Sequence, residues 1–407
     1  MRIIIIADYG IAEGGAPQVA LASAVALAEV GHEVIFIQGI GEARGGVLDG
    51  HPGIRRLSLD GRDVWSKPVL VGARDGIWNK AAGQALRSVL AQFSGTETIV
   101  HVHQWTKFFS PSLFAAVFEA GLPLVVSLHD YFLTCPTGLM YRFDLKAPCT
   151  LTPLSVPCML APCDPKSLVH KAIRVLRSRA VKKVLKGRAF TALHVSEVGR
   201  ASIGRYLPEG ARQVVLENPI ECEDHGLRAE PVSPKLVYCG RLTEEKGVLL
   251  IAKAAREAQV PSLFIGEGPM RDPILAVDPQ AEITGWMDRD AVRKRIAREA
   301  LALVAPSLWP ETGPMVIAEA LASGVPVIAS ARAGAAGRVE HGRTGFVIEP
   351  KEGAILSAVR ELQNVPVARE MGREAYRRFW ADPPGPAKHA ASLGEIYAQS
   401  LAAHHRA

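Results

Sequence analysis

The feature that most constrains the fold of this chain is a repeated alternation of short apolar segments and longer helical ones. The apolar segment 2–7 leads through a glycine-containing loop into a helical segment at 17–30 and then into an apolar segment at 32–38. A strand–loop–helix–strand unit of this kind begins a doubly wound parallel sheet. The same alternation restarts at residue 235, so the sequence predicts an α/β protein with two Rossmann-like domains.

Further apolar segments complete both predicted domains, although 41–95 has no clear pattern. Strands are predicted at 98–105, 123–131, 191–196, 213–216, 235–242, 262–269, 282–287, 300–307 and 325–330. The polar, proline-bearing stretch 221–234 is typical of a linker. We therefore predict one domain at 1–219 and a second at 220–383, with a ligand-binding cleft between them. A last helix, beginning near Pro386 within 384–407, is expected to pack back on the first domain.

The stretch 306–330 combines two carboxylates with a predicted helix start. Glu311 lies in a loop, Gly313 and Pro314 suit the turn into a helix at 314–323, and Glu319 lies inside that helix. Free amides at the start of a helix favour an anion such as a phosphate. One segment could therefore offer amides to a diphosphate and two carboxylates to sugar hydroxyls. The alternative is an ordinary strand–helix–strand unit with two solvated glutamates.

Other polar or glycine residues follow predicted strands of the second half. Arg241 and Lys246 follow the strand at 235–242, and both side chains suit phosphate. Gly266 ends the next strand. Gly285 and Trp286 come at the end of a third, where a flat base could rest on the backbone. These strand ends predict a phosphate and nucleotide site at one edge of the sheet.

The first half has its own candidate residues at strand ends. Gly14 and Gly15 precede the first helix, where a phosphate or a sugar hydroxyl can approach closely, although a tight turn explains them equally well. His103 and Trp105 follow one strand, and His129 and Asp130 follow another. Since carboxyl ends of parallel strands collect ligands, His103, Trp105 and Asp130 are predicted to bind an acceptor.

Four of the six cysteines fall within 29 residues, namely Cys135, Cys149, Cys158 and Cys163. Disulfides are disfavoured in a reducing cytosol. Clustered thiols there suggest a structural metal, usually zinc, but the spacing lacks C-x-x-C pairs. Buried free cysteines therefore remain the alternative to a metal.

The segment 166–188 is strongly basic, with nine Lys or Arg, and its apolar residues Leu168, Ile173, Leu176, Ala180 and Val184 recur at helical spacing. Such a helix can lie on anionic lipid or pack on its own domain. No aromatic interleaving accompanies the charge, so nucleic-acid binding is not expected. The chain opens directly into a strand and lacks a secretory signal, so we expect the cytoplasm or the inner face of its membrane.

Taken together, these segments resemble the family-4 retaining glycosyltransferases of the glycosyltransferase B fold. The resemblance is carried by Tyr238-Cys-Gly240-Arg241-Leu-Thr-Glu-Glu-Lys246-Gly247, by Glu311 through Glu319 and by Gly324-Val-Pro-Val, and it covers almost the whole chain except about 41–95. The Cys135-Pro136 run and the later cysteines resemble a subset of this family. The resemblance implies transfer of a sugar from a nucleotide-diphosphate sugar to an acceptor hydroxyl. It implies no cofactor and no metal at the donor site.

The resemblance also implies roles for individual residues. Arg241 and Lys246 are expected to hold the donor diphosphate, Glu319 the ribose and Glu311 the transferred sugar. Amides near 313–316 complete the predicted donor site, which comprises Gly14, Gly15, Arg241, Lys246, Gly266, Gly285, Trp286, Glu311, Gly313, Pro314, Met315, Val316 and Glu319. His129 is expected near the donor sugar. The predicted catalytic residues are His129, Arg241, Lys246 and Glu311.

The chain departs from the family pattern in two places. The first glycine loop has Gln18 where a basic residue is frequent, and 333–337 reads Ala-Gly-Ala-Ala-Gly without the usual glutamate. A saccharide or lipid-linked saccharide is the expected acceptor, as in surface polysaccharide synthesis. The alternatives are a nucleotide-sugar epimerase, a phosphorylase and a non-catalytic nucleotide-sugar-binding subunit. A nicotinamide oxidoreductase is opposed by the absent G-x-G-x-x-G.

Overall fold

The computed structural model describes residues 1–12, 14–231 and 233–406, so that Val232 of the predicted linker lies outside the described residues. The chain divides into two compact units. The first contains Met1–Asp144, Cys149–Pro219 and Pro384–Ala407, and the second contains Leu145–Pro148 and Ile220–Pro383. Residues 221–231 and 233–234 contain neither a helix nor a strand.

Residues 1–219 alternate between strands and helices. The strands are β1 (Arg2–Tyr9), β2 (Glu33–Ile40), β3 (Ile54–Gly61), β4 (Thr98–Val102), β5 (Leu124–Leu128), β6 (Tyr141–Arg142), β7 (Ala147–Pro148), β8 (Phe190–His194) and β9 (Ala211–Val215). The helices are α1 (Gly15–Glu29), α2 (Val69–Ile77), α3 (Lys80–Leu90), α4 (Ser112–Glu119), α5 (Val156–Leu160), α6 (Leu168–Leu185) and α7 (Glu197–Ile203). Short 3-10 turns lie at Val64–Ser66 and Gly204–Tyr206.

Residues from 220 onward repeat the alternation. The strands are β10 (Lys235–Cys239), β11 (Ser262–Ile265), β12 (Glu282–Gly285), β13 (Ala300–Ala305), β14 (Val327–Ser330) and β15 (Gly345–Ile348). The helices are α8 (Val248–Ala258), α9 (Arg271–Val277), α10 (Arg289–Glu299), α11 (Met315–Ala322), α12 (Glu352–Leu362), α13 (Val365–Ala381) and α14 (Pro386–His404). Short 3-10 turns lie at Glu244–Lys246 and Gly334–Arg338.

Each unit is built on one parallel sheet. The strand order is β3-β2-β1-β4-β5-β8-β9 in the first sheet and β12-β11-β10-β13-β14-β15 in the second. The register places Ile4 of β1 between Ile35 of β2 and Val100 of β4. Both orders reverse direction beside the first strand, at β1/β4 and at β10/β13, which is the switch point of a doubly wound sheet. The predicted α/β class with two Rossmann-like parallel sheets is therefore confirmed.

Successive residues of β10 show how the second sheet is covered on both faces. Leu236 and Tyr238 pack in one apolar cluster with residues of α8 and α12. Val237, between them, packs in another with residues of α10, α11 and α13. A strand sends consecutive side chains to opposite faces, so an unbroken apolar run requires helices on both. This is why such runs predicted parallel strands.

The last helix, α14, completes the core of the first unit. Its residues Ala390, Leu393, Ile396 and Tyr397 join the apolar cluster of β1 and α1. Polar contacts accompany this packing: the Tyr397 hydroxyl lies 2.7 Å from His101 Nδ1, and the two hydroxyls of Ser400 and Thr191 lie 2.8 Å apart. The end of the chain therefore packs against elements formed by its beginning.

The segment 41–95, which has no clear sequence pattern, contains β3, α2 and α3. The edge strand β3 is only partly buried and carries charged residues, so it lacks an apolar run. Helix α2 buries Gly72, Asp75 and Gly76 while Val69 and Leu70 are exposed. Periodicity assumes that apolar residues face inward, and this helix reverses that relation.

The apolar positions predicted on the basic helix do not form one buried face. In α6 the buried residues are Lys171, Val175, Arg177, Ser178, Val181 and Leu185. Leu168 and Leu176, two members of the predicted face, are exposed. The buried face of α6 is therefore mixed, with charged side chains as well as apolar ones. Among the described helices, none is both long and apolar enough to cross a bilayer.

Most predicted strands extend too far at their carboxyl ends. The segment 98–105 forms a strand only to Val102, 123–131 only to Leu128 and 235–242 only to Cys239. The residues beyond these points are loops that carry the polar side chains of the predicted site. Apolar residues such as Trp105 and Leu242 extend the pattern, but their backbones leave the ladder.

Candidate functional site

The carboxyl ends of β10, β11 and β12 form a closely packed backbone edge. A Cβ atom at Gly266 would lie 2.0 Å from the carbonyl oxygen of Gly240, so only glycine fits there. Gly285, after β12, has φ 77° and forms an isolated bridge with Gly266. Trp286 follows with an exposed side chain, and the backbone N–H of Trp286 donates to Glu267 Oε1 at 3.4 Å. The edge thus presents backbone and one exposed indole, a surface on which a planar group can rest.

Beside this edge, Lys246 forms an ion pair with Glu311. Lys246 Nζ pairs with Glu311 Oε1, and Ser307 Oγ donates to the other carboxylate oxygen. The two charged side chains are only 14% and 11% exposed. Lys246 Nζ also lies 5.5 Å from the centre of the Trp309 ring. The ion pair is therefore largely screened from water, where a charged group acts strongly on a bound ligand.

The backbone around Lys246 and Glu311 is fixed by short contacts. Gly247 has φ 73°, and a Cβ atom there would lie 2.4 Å from the carbonyl oxygen of Pro306. The N–H of Glu311 donates to the Arg332 carbonyl at 2.9 Å, and the N–H of Gly334 donates to the Glu311 carbonyl at 2.7 Å. The loop after β14 therefore holds the glutamate in place, although it lacks the glutamate usual in the resembled family.

Helix α11 begins immediately after this loop without a side-chain cap. Pro314 occupies the N-cap position, and the first turn carries no acidic residue. Gly313, Met315 and Val316 are partly exposed. The first N–H groups of a helix have no intrahelical acceptor, and together with the helix dipole they form a site for an anion. The uncapped start of α11 lies three residues after Glu311, the partner of Lys246, and its amides are free to bind an anion.

Glu319, the predicted ribose-binding carboxylate, is paired with two arginines in the structure. Its side chain is 10% exposed, and Oε1 lies 2.9 Å from Arg289 Nε and 3.5 Å from Arg293 Nη2. Burial, and then the charge of Glu319, raise the pKa of the Cys239 thiol at the end of β10 to about 12. Both arginines lie on α10, one turn apart, and sequence analysis missed them. Their i, i+4 spacing in a basic helical segment was the available signal.

Glu311 and Glu319 act on consecutive residues of β10. Burial, and then the charge of Glu311, raise the pKa of the Tyr238 phenol well above its usual value, whereas Glu319 acts on Cys239. Consecutive strand residues face opposite sides of a sheet. Tyr238 and Cys239, the two residues on which these charges act, therefore point to opposite faces of the sheet.

Arg241 is exposed directly after β10. The Tyr238 hydroxyl donates to its backbone carbonyl at 2.9 Å, which fixes the main chain. Across residues 1–12, 14–231 and 233–406, no ion pair or hydrogen bond involves the Arg241 guanidinium. A guanidinium at a sheet edge without a protein partner is available to a bound phosphate.

The chain contains one D-x-D sequence, Asp288-Arg289-Asp290, which sequence analysis overlooked. Asp288 caps α10 by accepting from the N–H of Ala291 at 2.9 Å. Asp290 lies 3.9 Å from Arg293. Both carboxylates therefore have structural partners on α10, and within the described part of the chain no three His, Cys, Asp or Glu side chains are grouped to hold a metal ion.

In the first unit, the predicted histidines form a stacked pair. His103 Nδ1 lies 3.0 Å from His129 Nε2, and the ring centres are 5.2 Å apart. Burial lowers the pKa of His129 to about 3 and the pKa of His103 well below its usual value, so both rings are neutral at neutral pH. One nitrogen of the pair donates and the other accepts, which fixes the orientation of His129.

The other predicted residues of the first unit occupy different environments. Gly14, with φ 97°, caps α1 without a side-chain hydrogen bond, and Gly14 and Gly15 are both exposed. Burial raises the pKa of Asp130 to about 6, although its carboxylate accepts from the N–H of Phe132. Trp105 is buried against Phe114, so the structure gives this residue a packing role and does not support its predicted contact with an acceptor.

The clustered cysteines are free thiols. Cys163 Sγ lies 2.9 Å from Lys171 Nζ, and burial raises the pKa of Cys149 and Cys158. No metal-binding group was found among the described residues, which include all four. The predicted structural metal is therefore not supported, and the alternative of buried free cysteines fits the structure.

Comparison with known proteins agrees with this architecture. Residues 233–364 match the family model described as Glycosyl transferases group 1. This segment contains Arg241, Lys246, Glu311 and Glu319. Over 150 residues the chain is 32% identical to the sulfoquinovosyl transferase of Arabidopsis thaliana, an alignment that covers 35% of this chain and 28% of that protein. The chain thus aligns with less than a third of the length of this curated relative.

Solved structures resemble the chain over nearly its full length. The sucrose-phosphate synthase of Thermosynechococcus elongatus has a TM-score of 0.67 at 18% identity, covering 99% of both chains. Anabaena HepE in complex with UDP and glucose has a TM-score of 0.66 at 15% identity, covering 98% of this chain and 100% of that one. The fold is therefore that of the glycosyltransferase B class, as expected from the sequence.

Proposed function

We propose that this chain is a retaining glycosyltransferase that moves a sugar from a nucleotide-diphosphate sugar to an acceptor hydroxyl. The observation that carries the proposal is the screened Lys246–Glu311 pair beside the uncapped start of α11. A diphosphate needs cations and free amides, and a transferred sugar needs a carboxylate for its hydroxyls. The match of 233–364 to Glycosyl transferases group 1 supports this assignment.

In the proposed reaction, an acceptor hydroxyl replaces the nucleotide diphosphate at the anomeric carbon. Negative charge grows on the leaving phosphate, and Arg241, Lys246 and the amides of α11 stabilise it. Preorganised electrostatic stabilisation of this kind is often the largest catalytic contribution. The leaving phosphate takes the proton of the attacking hydroxyl on the same face, so no separate base is required. Glu311 and Glu319 bind hydroxyls and are not the acid and base of a glycosidase.

The acceptor is proposed to be a saccharide or a lipid-linked saccharide in surface polysaccharide synthesis. The bound UDP and glucose of HepE support a nucleotide sugar as donor. No cofactor is proposed.

The decisive experiment is a calorimetric screen of nucleotide-activated sugars, followed by turnover of the tightest donor with saccharide acceptors. Transfer that retains the anomeric configuration supports the proposal. Conversion of the donor without an acceptor would instead identify an epimerase. Binding without any turnover would identify a non-catalytic subunit.

Replacing Glu319 by alanine is expected to weaken donor binding about tenfold or more, as expected for a lost charge-assisted hydrogen bond. The fold should persist, because Arg289 and Arg293 can turn to solvent. Calorimetric titration measures the effect, and Glu370→Ala, an exposed glutamate on α13, is the matched control. Donor affinity equal to that of the unmodified protein would remove Glu319 from the site.

Replacing His129 by alanine is expected to abolish most turnover while donor binding is largely kept. The reason is that a neutral, oriented imidazole would contact only the transferred sugar, whereas the nucleotide supplies most of the binding. Steady-state kinetics and calorimetry separate the two effects. His225→Ala, at an exposed histidine of the linker, serves as the control. A fully active His129→Ala variant would contradict the assignment.

A further inference from the structure

An exposed apolar face lies on the first unit, where α2 packs against α6. It consists of Trp65, Val69, Leu70, Leu168 and Val169, which we call the docking face. These residues are 44%, 78%, 85%, 66% and 66% exposed, respectively. Trp65, Val69 and His170 also line a narrow slot of about 110 Å³ between the two helices. Contiguous apolar residues of this kind on a surface indicate an interaction site.

The apolar residues face outward because α2 packs through its small residues. A Cβ atom at Gly72 would lie 2.3 Å from the carbonyl oxygen of Val64, so the helix approaches the preceding turn closely. On the same buried side, Asp75 pairs with Lys67 at 2.9 Å and with Arg74. The inward face of α2 is thus occupied by glycine and a paired carboxylate. Val69 and Leu70, at the start of the helix, lie outside this buried face and are exposed.

Cations surround the indole at the centre of the docking face. Lys166 Nζ lies 3.9 Å from the ring centre of Trp65, and Lys107 Nζ and Arg174 Cζ each lie 5.8 Å from it. His170 stacks on the same ring at 5.5 Å. Three nearby acids form ion pairs with cations of this region. Lys107 pairs with Asp63 at 3.6 Å, Arg174 with Asp164 at 3.3 Å, and Lys67 with Asp75 at 2.9 Å.

The surrounding sequence leaves this region with excess positive charge. Residues 166–188 contain nine Lys or Arg and no Asp or Glu. Of these, Lys182 and Lys183 are exposed on α6, further along the same helix. The docking face is therefore apolar, with Lys166 against its indole and further lysines along α6.

We propose that the docking face binds an anionic lipid bilayer, with Val69, Leu70, Leu168 and Val169 inserted at the level of the headgroups. Tryptophan is enriched at the membrane interface, and surface-bound helices combine Lys and Arg with exposed Leu and Trp. Lys and Arg near an anionic leaflet add attraction that salt weakens. A protein partner fits less well, because lysine is depleted from protein interfaces.

This site differs from the one that the sequence predicted. The apolar positions predicted on the basic helix also included Ile173, Ala180 and Val184, which are partly buried in the structure, and of the five predicted positions only Leu168 belongs to the docking face. The docking face instead joins the start of α6 with α2 and Trp65, from the segment without a sequence pattern. It does not depend on the proposed transferase activity.

The test is co-sedimentation of the full chain with vesicles of phosphatidylcholine alone or mixed with phosphatidylglycerol. The chain is expected to bind the anionic vesicles at low salt, to bind neutral vesicles weakly, and to be released by salt. The double variant Val69→Ser, Leu70→Ser should lower binding to anionic vesicles at least about tenfold, because two inserted apolar side chains are lost. Val47→Ser, Val365→Ser is the matched control, since both valines are exposed elsewhere.

Tryptophan fluorescence gives a second readout at the docking face. Vesicle binding should shift the emission to shorter wavelength, and Trp65→Phe should remove most of that shift while binding persists. Equal binding to neutral and anionic vesicles would overturn the proposal. So would unchanged binding by the Val69→Ser, Leu70→Ser variant, or a wild-type dimer that this variant dissociates without any vesicle binding, which would show a second copy as the occupant.

Discussion

Replacing Arg241 by alanine is expected to lower the rate of sugar transfer about 10²- to 10³-fold, by analogy with the loss of one preorganised donor to a developing anion. The Arg241 side chain is exposed after β10, and its guanidinium forms no ion pair or hydrogen bond with the described residues. Removing it therefore breaks no interaction within the protein. The free energy of unfolding should stay unchanged, so the loss of rate would report on the ligand alone.

Steady-state kinetics with the best donor, together with urea unfolding, measures this prediction. Arg271→Ala is the matched control, since it removes another exposed arginine of the second unit, at the start of α9. Arg241→Lys should fall between the two, because lysine keeps the charge but not the bidentate geometry. If Arg241→Ala transferred sugar at the unmodified rate, the proposed role in leaving-group stabilisation would be wrong.

Acidification from about pH 6.5 to about pH 5 is expected to lower the free energy of unfolding of the first unit by several kcal/mol, on the order of 1 kcal/mol for each histidine that stays neutral in the folded state. Burial lowers the pKa of His129 to about 3 and of His389 to about 4, and it lowers the pKa of His101 and His103 well below the usual value. In this range the unfolded histidines bind protons that the folded ones do not. Stability is therefore lost as the pH falls below about 6.5, the unfolded pKa of histidine.

Two buried acids oppose this loss. Burial raises the pKa of Asp8 and Asp130 to about 6, so their folded forms bind protons before their unfolded forms do. Each therefore gains about 1 kcal/mol of stability over the same range as the pH falls. Because four buried histidines oppose two buried acids, the free energy of unfolding falls on balance. This direction requires that the histidines are neutral in the folded state.

Hydrogen exchange of peptides from β1 and β10 across this pH range measures the two units separately. The second unit is the internal control, because its histidines, His225 and His341, are exposed. His389→Gln should reduce the acid sensitivity of the first unit by roughly 1–2 kcal/mol, since one titrating group is removed. Equal loss of protection in β1 and β10 would contradict the prediction.

Much of the fold could be predicted because both sheets are covered on their two faces. A parallel strand buried on both sides must be apolar throughout, so the strands at Ile3–Ile6 and Leu301–Val304 can be recognised from their own residues alone. The segment 41–95 could not be predicted for the opposite reason. Its edge strand β3 is partly solvated, and α2 buries glycines and the ion-paired Asp75, which leave no periodic apolar signal.

The candidate site was predictable in part. Arg241, Lys246 and Glu311 follow recognisable strands, and their types suit a diphosphate and a sugar. The contacts of Glu319 with Arg289 and Arg293 could not be foreseen, since they join two helices, α11 and α10, that pack side by side on one face of the sheet. Likewise, the prediction that Trp105 contacts a ligand did not anticipate its burial against Phe114.

The sequence by itself determined the α/β class, the two parallel sheets and the residue types at their carboxyl edges, because periodicity and strand ends are local properties. Only the tertiary structure decided which charges meet, which histidines are buried and neutral, and which face of α6 is exposed. These depend on contacts between residues far apart in the chain, such as Lys246 with Glu311 and His101 with Tyr397. Burial and pairing set the charge and orientation of a side chain, and neither is determined by the residues next to it in the sequence.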